Sequence, residues 1–257
     1  MTTVVIKFGG ASVRNLSQFH QVSNIVIKKC REYNHVVVVV SAMENMTDEL
    51  LCLAKSVHPS PPARELDMLL SVGERVSMSL LAMALAKKNF TAVSFTGSQC
   101  GIVTNEEHTD AKIISVIPSR VTKSLAEGKI VIVAGFQGVS RAGEITTLGR
   151  GGTDTTAVAL AIALRAEQVE FYKDVLGIYS TDPKKDSGAT LFSHLDYLDA
   201  LKIVENTEKQ VLHPRAIRLA EKNQLPLRVT SFQEISTGTV ITANTRRKNE
   251  IVFELPS

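Results

Sequence analysis

Short runs of β-branched residues alternate along this chain with longer segments of helical periodicity. Residues 4–8 are apolar except for Lys7, and residues 36–40 are all valine, which is typical of strands covered on both faces of a parallel sheet. The segment between them repeats apolar residues at three- and four-residue steps, after the possible helix caps Asn15 and Ser17. The alternation therefore predicts an α/β fold with a largely parallel sheet.

The same alternation continues to the end of the chain. A long helix is predicted over residues 64–88, and further strands near residues 92–95, 130–134, 169–172 and 227–229. Residues 136–147, which contain Gly138 and Gly143, predict a hairpin at the surface. Since no repeat or low-complexity tract marks a linker, we expect one domain over residues 1–257, with lobes formed by about 1–135 and 136–257.

The net charge and the cysteine content of the chain indicate which kinds of partner and which cellular compartment to expect. The 29 lysines and arginines against 26 acidic residues leave a net charge of +3, too little for the basic stripe that nucleic-acid binding needs. Three cysteines without metal-ligand or disulfide spacing fit a reducing compartment, so we expect a cytoplasmic protein. No apolar run reaches the length of a membrane span, and no membrane partner is expected.

A glycine-containing junction follows the first predicted strand. In KFGGASV, Lys7 closes the strand and Gly9 and Gly10 open a turn towards a helix. Glycines let the backbone approach a ligand, and free N–H groups at a helix start favour an anion. The alternative is a plain strand-to-helix turn with an exposed lysine.

A second junction, LGRGGTDTTAVALAIAL, leads from Gly149 into an alanine-rich helix capped by Thr153 or Asp154. An anion is well placed at this helix start, and Arg150 offers a guanidinium fork for a carboxylate. Asp154 could instead serve only as the cap.

The third junction, FYKDVLGIYSTDPKK, places Lys173 and Asp174 at a strand end, followed by Tyr179 and Asp182. Ligands of parallel α/β folds bind outside the carboxyl ends of strands, so the three junctions are expected to meet at one crevice. The sequence contains no Walker GxxxxGK[ST] motif, dinucleotide-binding GxGxxG, GxSxG or HExxH.

Glu74 lies on the apolar face of the predicted long helix, together with Leu70, Met78, Leu81 and Leu85. A carboxylate there is unfavourable unless a partner meets it. That partner is either a core-facing arginine or a substrate ammonium group at the crevice. Ser41 and Thr47 follow the second strand at another strand end.

These segments together resemble the catalytic domain of aspartokinases, within the amino-acid kinase family. The resemblance runs from about Val4 to about Ile241 and rests on eight strings in order: KFGGASV, VVSAM followed by TDEL, LLSVGERVS, FTGSQCGI, GFQGV, TTLGRGGTDTTAVALA, YKDVLGIYSTDP and VLHPRAI. It implies an αβα sandwich with a mainly parallel central sheet, an N-lobe that binds the amino acid, and a C-lobe that binds ATP and Mg²⁺. A homodimer is also implied.

The resemblance also implies roles for individual residues. The catalytic residues would be Lys7, Asp154 and Lys209; the phosphate-binding residues Gly9, Gly10, Ser12, Gly151 and Gly152; the acceptor-binding residues Ser41, Thr47, Glu74, Arg150 and Thr153; and the ATP-binding residues Lys173, Asp174, Tyr179, Asp182 and Lys184. No residue is assigned directly to the metal.

Several positions depart from the family pattern. Ala11 replaces the threonine of KFGGTSV, Glu44 stands where many members have glycine, Lys173 replaces the threonine of the strand-end TD pair, Lys184 replaces the arginine of DPR, and Gln210 stands where many members have a lysine before VLHP. These changes bear on the acceptor rather than on the fold.

Three functions are compatible with the sequence. The first is ATP-dependent phosphorylation of the side-chain carboxylate of aspartate, and the second is phosphorylation of another carboxylate or of a hydroxyl on a carboxylate-bearing metabolite. The third is a nucleotide-binding subunit without turnover. Aspartokinases usually continue past a GTVI-like strand into paired ACT regulatory domains, whereas here only residues 242–257 follow that strand at residues 238–241, so we expect no ACT domains in this chain.

Overall fold

The computed structural model describes residues 1–183, 185–186, 188–207, 210–234, 236–243 and 251–255. The helices within these ranges are α1 (Leu16–Glu32), α2 (Met46–Val57), α3 (Ala63–Leu70), α4 (Val72–Ala86), α5 (Ser119–Ala126), α6 (Gly152–Ala163), α7 (Tyr197–Glu205) and α8 (Pro214–Asn223). The strands are β1 (Thr3–Phe8), β2 (His35–Val40), β3 (Ala92–Phe95), β4 (Ile102–Thr104), β5 (Ile113–Val116), β6 (Ile130–Ala134), β7 (Gln137–Ser140), β8 (Ile145–Thr147), β9 (Gln168–Lys173), β10 (His194–Leu195), β11 (Leu227–Ser231) and β12 (Thr239–Ile241). A 3₁₀ turn, Gly10–Val13, follows β1.

The main sheet has the strand order β10-β12-β11-β9-β1-β2-β6-β3. All its pairs are parallel except β11 with β12. The chain builds β2, β3 and β6 on one side of β1 and returns to place β9 on the other side. The strand order therefore reverses at β1, and such a point opens a crevice at the carboxyl ends of the neighbouring strands.

Alternation along the strands divides the core into two layers. Val4, Ile6 and Phe8 of β1 pack in the cluster that contains residues of α1 and α4, whereas Val5 packs in the cluster with α6 and α8. Successive side chains of a strand point to opposite faces, so helices cover both sides of the sheet. The expected αβα sandwich with a mainly parallel sheet is confirmed.

The hairpin expected over residues 136–147 is present, but the prediction that it lies at the surface is wrong. β7 and β8 do pair antiparallel, but they belong to a second sheet of order β5-β4-β7-β8. Gln137, Ser140, Thr146 and Thr147 are buried in it. The short strands β4 and β5, which the sequence does not predict, extend the sheet beyond β7.

The single helix expected over residues 64–88 is divided at Ser71 into α3 and α4. The Ser71 backbone N–H donates to the carbonyls of Asp67 and Leu69, which tightens the last turn of α3. The apolar face is as predicted, with Glu74 and its four apolar neighbours all buried. The segment 63–86 is long and apolar enough to cross a membrane, but 50% of its apolar window is buried inside the fold, as in a core helix.

Other local predictions are confirmed. The five predicted strands near residues 4, 36, 92, 130 and 169 are present as β1, β2, β3, β6 and β9, and β11 covers residues 227–229. Asn15 caps α1, because its side chain accepts a hydrogen bond from the Gln18 backbone N–H at 3.1 Å. Ser17 is not the cap, since its hydroxyl donates to the Asn15 side chain.

Candidate active site

Lys7 reaches the crevice because of its position in β1. It shares the sheet face of Val5, two residues earlier, and this face is covered by α6. Gly9 borders its ammonium group, since a Cβ atom at Gly9 would lie in van der Waals contact with Lys7 Nζ, at 3.6 Å. Gly10 packs against the loop after β2, where its Cβ would lie 3.2 Å from the Ala42 carbonyl oxygen. Ser12 is fully buried, and its hydroxyl donates to the carbonyl of Tyr172 at 3.4 Å.

The glycine-rich turn before α6 needs backbone conformations that glycine adopts readily. Gly149 and Gly151 have φ values of +68° and +71°. A Cβ atom at Gly151 would lie 2.0 Å from His213 Cγ, so the turn packs directly on the segment before α8. The helix cap is Gly151, and the expectation that Thr153 or Asp154 caps α6 is wrong. Both side chains are engaged elsewhere: Thr153 faces Gly135, and Asp154 faces two lysines.

Asp154 joins the first and third junctions. Its carboxylate lies 2.6 Å from Lys7 Nζ and 3.4 Å from Lys173 Nζ, and it accepts a hydrogen bond from the His213 backbone N–H. Burial opposes its ionisation, but the charges of Lys173 and Lys7 outweigh that effect and hold the pKa of Asp154 well below its usual range. Asp154 is therefore an anion between two cations, in a position that excludes most water.

Glu74 projects from α4 into the same region. It is 3% exposed, and its Oε1 accepts a hydrogen bond from the Ala42 backbone N–H at 3.0 Å. Its Oε2 is buried and has no hydrogen-bond partner among the described residues. Burial raises the pKa of Glu74 to about 7, while the Ala42 bond and the charge of Lys7 lower it. The core-facing arginine considered as a partner is absent from the described contacts, so the described residues leave this oxygen without a hydrogen-bond donor.

Three further predicted acceptor residues lie after β2, in α2 and before α6. Ser41 directly follows β2, and its backbone N–H donates to the Phe8 carbonyl at 3.1 Å. Thr47 lies in the first turn of α2 and is half-buried. Arg150 is exposed between Gly149 and Gly151, and the described part of the chain offers its guanidinium no hydrogen bond or ion pair.

The third junction begins at the carboxyl end of β9. Lys173 ends the strand, Asp174 is exposed, and Tyr179 forms a β-bridge with Leu191. Asp182 begins a turn in which its carbonyl accepts the N–H groups of Lys185 and Asp186. Two predicted residues, Lys184 and Lys209, lie outside the described residues.

Two residues near the site were not predicted from the sequence. His213 was taken as a structural histidine, yet it packs on Gly151 and its ring Nδ1 accepts the Arg215 N–H. Asp67 is fully buried in α3 and accepts hydrogen bonds from the Thr147 hydroxyl and the Thr109 N–H. Thr147 lies at the start of the segment that carries Arg150. The only sequence signal for Asp67 was a polar residue on the buried face of an amphipathic helix.

The model of the amino acid kinase family matches residues 2–231, and this range includes the main sheet up to β11 and all three junctions. The chain belongs to the amino acid kinase family. The aspartokinase of Geobacillus stearothermophilus is 50% identical over 241 residues, which are 94% of this chain and 59% of that protein.

Solved structures of this family superpose closely on the chain. The aspartate kinase from Synechocystis matches with a TM-score of 0.87 and 41% identity, over 98% of this chain and 41% of that one. Aspartokinase III of E. coli in complex with aspartate and ADP, in the R-state, matches with a TM-score of 0.84 and 26% identity, over 95% and 65%. The chain spans about three fifths of the length of the curated relatives that it matches.

Proposed function

We propose that this amino acid kinase transfers the γ-phosphoryl group of ATP to the side-chain carboxylate of L-aspartate, giving 4-phospho-aspartate. The observation that carries the proposal is the buried contact between Lys7 and Asp154, which joins two glycine-rich turns at the point where the strand order reverses. The similarity to aspartokinases, one of them solved with aspartate and ADP, supports the choice of substrates.

The transferred phosphate would be held between the two glycine-rich turns. Lys7 supplies a positive charge, and the turns at Gly9–Gly10 and Gly151–Gly152 bring backbone close to the ligand. Ser12 stabilises the first turn through the hydrogen bond that its hydroxyl donates to the Tyr172 carbonyl. Asp154 keeps Lys7 oriented.

The acceptor would lie towards α4 and α2. The buried, unpartnered Oε2 of Glu74 suits the ammonium group of an amino acid, and the unpaired guanidinium of Arg150 suits a carboxylate. Ser41, Thr47 and Thr153 would complete this side of the crevice. A dicarboxylic amino acid satisfies both charged groups at once.

The nucleotide would lie along the segment after β9. Asp174, Tyr179 and Asp182 belong to this segment, and Lys184 and Lys209 extend the same proposal outside the described residues. Of the described residues, no cluster of three His, Cys, Asp or Glu side chains could hold a metal ion. Mg²⁺ would arrive with ATP and be held mainly by phosphate oxygens and water, where it would offset phosphate charge.

Catalysis in this site would consist of positioning and charge stabilisation. The acceptor carboxylate attacks the γ-phosphorus in line with the departing ADP oxygen, so no covalent enzyme intermediate is required. The aspartate carboxylate is ionised at neutral pH, and no general base is required to activate it.

A second candidate is phosphorylation of another carboxylate, or of a hydroxyl on a carboxylate-bearing metabolite. It is favoured by Glu44, which follows Ala42 and Met43 in the loop that contacts Gly10. Glu44 is exposed and pairs with Arg14 at 3.4 Å. Arg150 would still bind the carboxylate of such a substrate, but the oxygen that attacks the phosphorus would belong to a different group of that substrate.

The proposal extends to the organisation of the protein. In the main sheet, β1, β2, β3 and β6 from residues 1–135 form one half, and β9 to β12 from the residues after 136 form the other half. We assign acceptor binding to the first lobe and ATP binding to the second, and a cytoplasmic homodimer as the working form.

One assay tests the proposal. The protein is incubated with ATP, Mg²⁺ and candidate acceptors, with and without hydroxylamine, and ADP release is followed. We expect a hydroxamate with aspartate, because hydroxylamine traps an acyl phosphate. A hydroxylamine-resistant phosphate ester would support the second candidate, and ATP binding without ADP release under any acceptor would contradict both.

A further inference from the structure

Lys173 lies on the strand next to that of Lys7, two residues farther towards the carboxyl ends of the strands. β1 and β9 are adjacent parallel strands, with Lys7 opposite Phe171 and Phe8 opposite Tyr172. Lys173 has the strand parity of Phe171, whose side chain packs in the core layer of α6. Both lysines therefore project from the carboxyl ends of neighbouring strands towards the start of α6.

The two ammonium groups share one carboxylate. Lys7 Nζ lies 2.6 Å and Lys173 Nζ 3.4–3.5 Å from Asp154, and the side chain of Lys173 is 16% exposed. Among the described residues Asp154 is the carboxylate within ion-pair distance of these ammonium groups, while Asp174 and Glu74 act on them from farther away, so the contact itself carries a net positive charge in a largely buried place. Such an arrangement is unfavourable unless an anion binds there.

This location differs from the one that the family resemblance implies. That resemblance puts the second catalytic lysine at residue 209, before VLHP, and leaves Lys173 with the nucleotide. Here Gln210 takes the position where many members have a lysine, and it is exposed. Lys173, by contrast, is in ion-pair distance of Asp154.

We propose that Lys173 is a second catalytic lysine, which contacts the transferring phosphoryl group together with Lys7. The inference rests on the proposed kinase activity. The acceptor oxygen forms a bond to the γ-phosphorus while the bond from that phosphorus to the β,γ-bridging oxygen breaks, and the electron pair leaves with ADP. No proton is transferred, and both lysines stay protonated while they stabilise charge on the moving group.

The test compares Lys173→Met and Lys173→Arg with the wild-type protein. Lys129→Met is the matched control, because Lys129 lies before β6 and pairs only with Glu127 among the described residues. We expect Lys173→Met to lower kcat about 100- to 1000-fold, with KM for ATP changed less than about threefold, since uniform binding would alter KM instead. Lys173→Arg should recover part of kcat.

The pH profile gives a second, independent measurement. Burial lowers the pKa of Lys173 to about 8; Asp154 and Asp174 oppose this shift, and Lys7 adds to it. The charged groups that face Lys173 are thus Asp154 of α6, Lys7 of β1 and its neighbour Asp174. We expect kcat/KM for ATP to fall above about pH 8 in the wild type and in Lys129→Met. In Lys173→Arg the fall should move up by more than one pH unit, because a guanidinium stays protonated.

The outcomes separate the two proposals. A wild-type protein that releases no ADP with any acceptor contradicts the proposed function itself. If the wild type is active and folded Lys173→Met has a kcat within threefold of the wild-type value, the role of Lys173 is overturned while the proposed function stands. The same holds if the alkaline limb of the pH profile is unchanged in Lys173→Arg. Thermal unfolding establishes that each variant is folded, and if Lys173→Met does not fold, the profile of Lys173→Arg decides.

Discussion

The Lys7 ammonium and the Asp154 carboxylate lie 2.6 Å apart in a nearly dry environment, one at the end of β1 and the other in the first turn of α6. This contact ties together the two glycine-rich turns that border the crevice. Because the ion pair is buried, removing one partner leaves the other without compensation. The geometry of the crevice therefore depends on both residues.

Replacement of Lys7 tests its contribution to phosphoryl transfer. Lys7→Ala should lower kcat about 100- to 1000-fold, because its charge is needed where negative charge develops during transfer. KM for ATP should change much less. Steady-state kinetics of ADP release would measure both, with Lys129→Ala as the control on the surface. Unchanged turnover would remove Lys7 from the mechanism.

Arg150 tests acceptor recognition. Arg150→Lys should raise KM for the acceptor about 10- to 100-fold, since an ammonium cannot reproduce the two-pronged guanidinium contact with a carboxylate. Arg31→Lys, at an exposed position of α1, is the matched control. If only KM for ATP responds, Arg150 belongs to the nucleotide side of the crevice.

Glu74 should make stability depend on pH in the unliganded protein. Its pKa is about 7 in the fold against 4.5 as the ordinary value, so the native state binds more protons than the unfolded state between these limits. The stability that the protonated Glu74 contributes is fully present below pH 4.5 and is lost as the pH rises to about 7. The loss is on the order of 3 kcal/mol of unfolding free energy.

Urea unfolding at several pH values would measure this dependence. Glu74→Gln should flatten the curve between pH 4.5 and 7, because the amide does not titrate there. Glu107→Gln, which changes an exposed glutamate, should keep the wild-type slope. Parallel curves for wild type and Glu74→Gln would show that Glu74 ionises normally.

Gly151 tests the close packing of the second turn. Gly151→Ala adds a methyl group 2.0 Å from His213 Cγ at a φ of +71°, and we expect a loss of about 2–5 kcal/mol in unfolding free energy. Gly128→Ala is the matched control: its φ is +73°, but no atom lies within 4 Å of the added Cβ. It should cost only about 1–2 kcal/mol. Equal losses would mean that backbone strain alone explains the effect.

Much of the main sheet could be predicted from the sequence, because the residue patterns that indicate its strands and helices are local. The valine run of β2 and the apolar repeat of α1 depend on neighbouring residues. β2 agrees with its predicted limits to within one residue, and α1 begins directly after the predicted cap Asn15. In the second sheet the hairpin of β7 and β8 was predicted, but β4 and β5 were not. These strands have three and four residues, and such short strands carry too little periodicity to be distinguished from loop.

The candidate site shows the same division. The glycine turns, Lys7, Asp154 and Glu74 could be identified as chemically unusual from residue type and position. The residue that caps α6 could not be predicted, because whether Asp154 serves as a cap or forms an ion pair depends on which strand lies beside the start of the helix.

The local pattern of residues determines that Lys7 and Lys173 each end a strand, on the face given by their alternation with Val5 and Phe171. It does not determine that these strands are neighbours. The pairing of β1 with β9 brings together segments distant in the chain, and it depends on burial of both sheet faces by helices. Only that arrangement places two lysines on one aspartate, and thereby decides where the charge of the site lies.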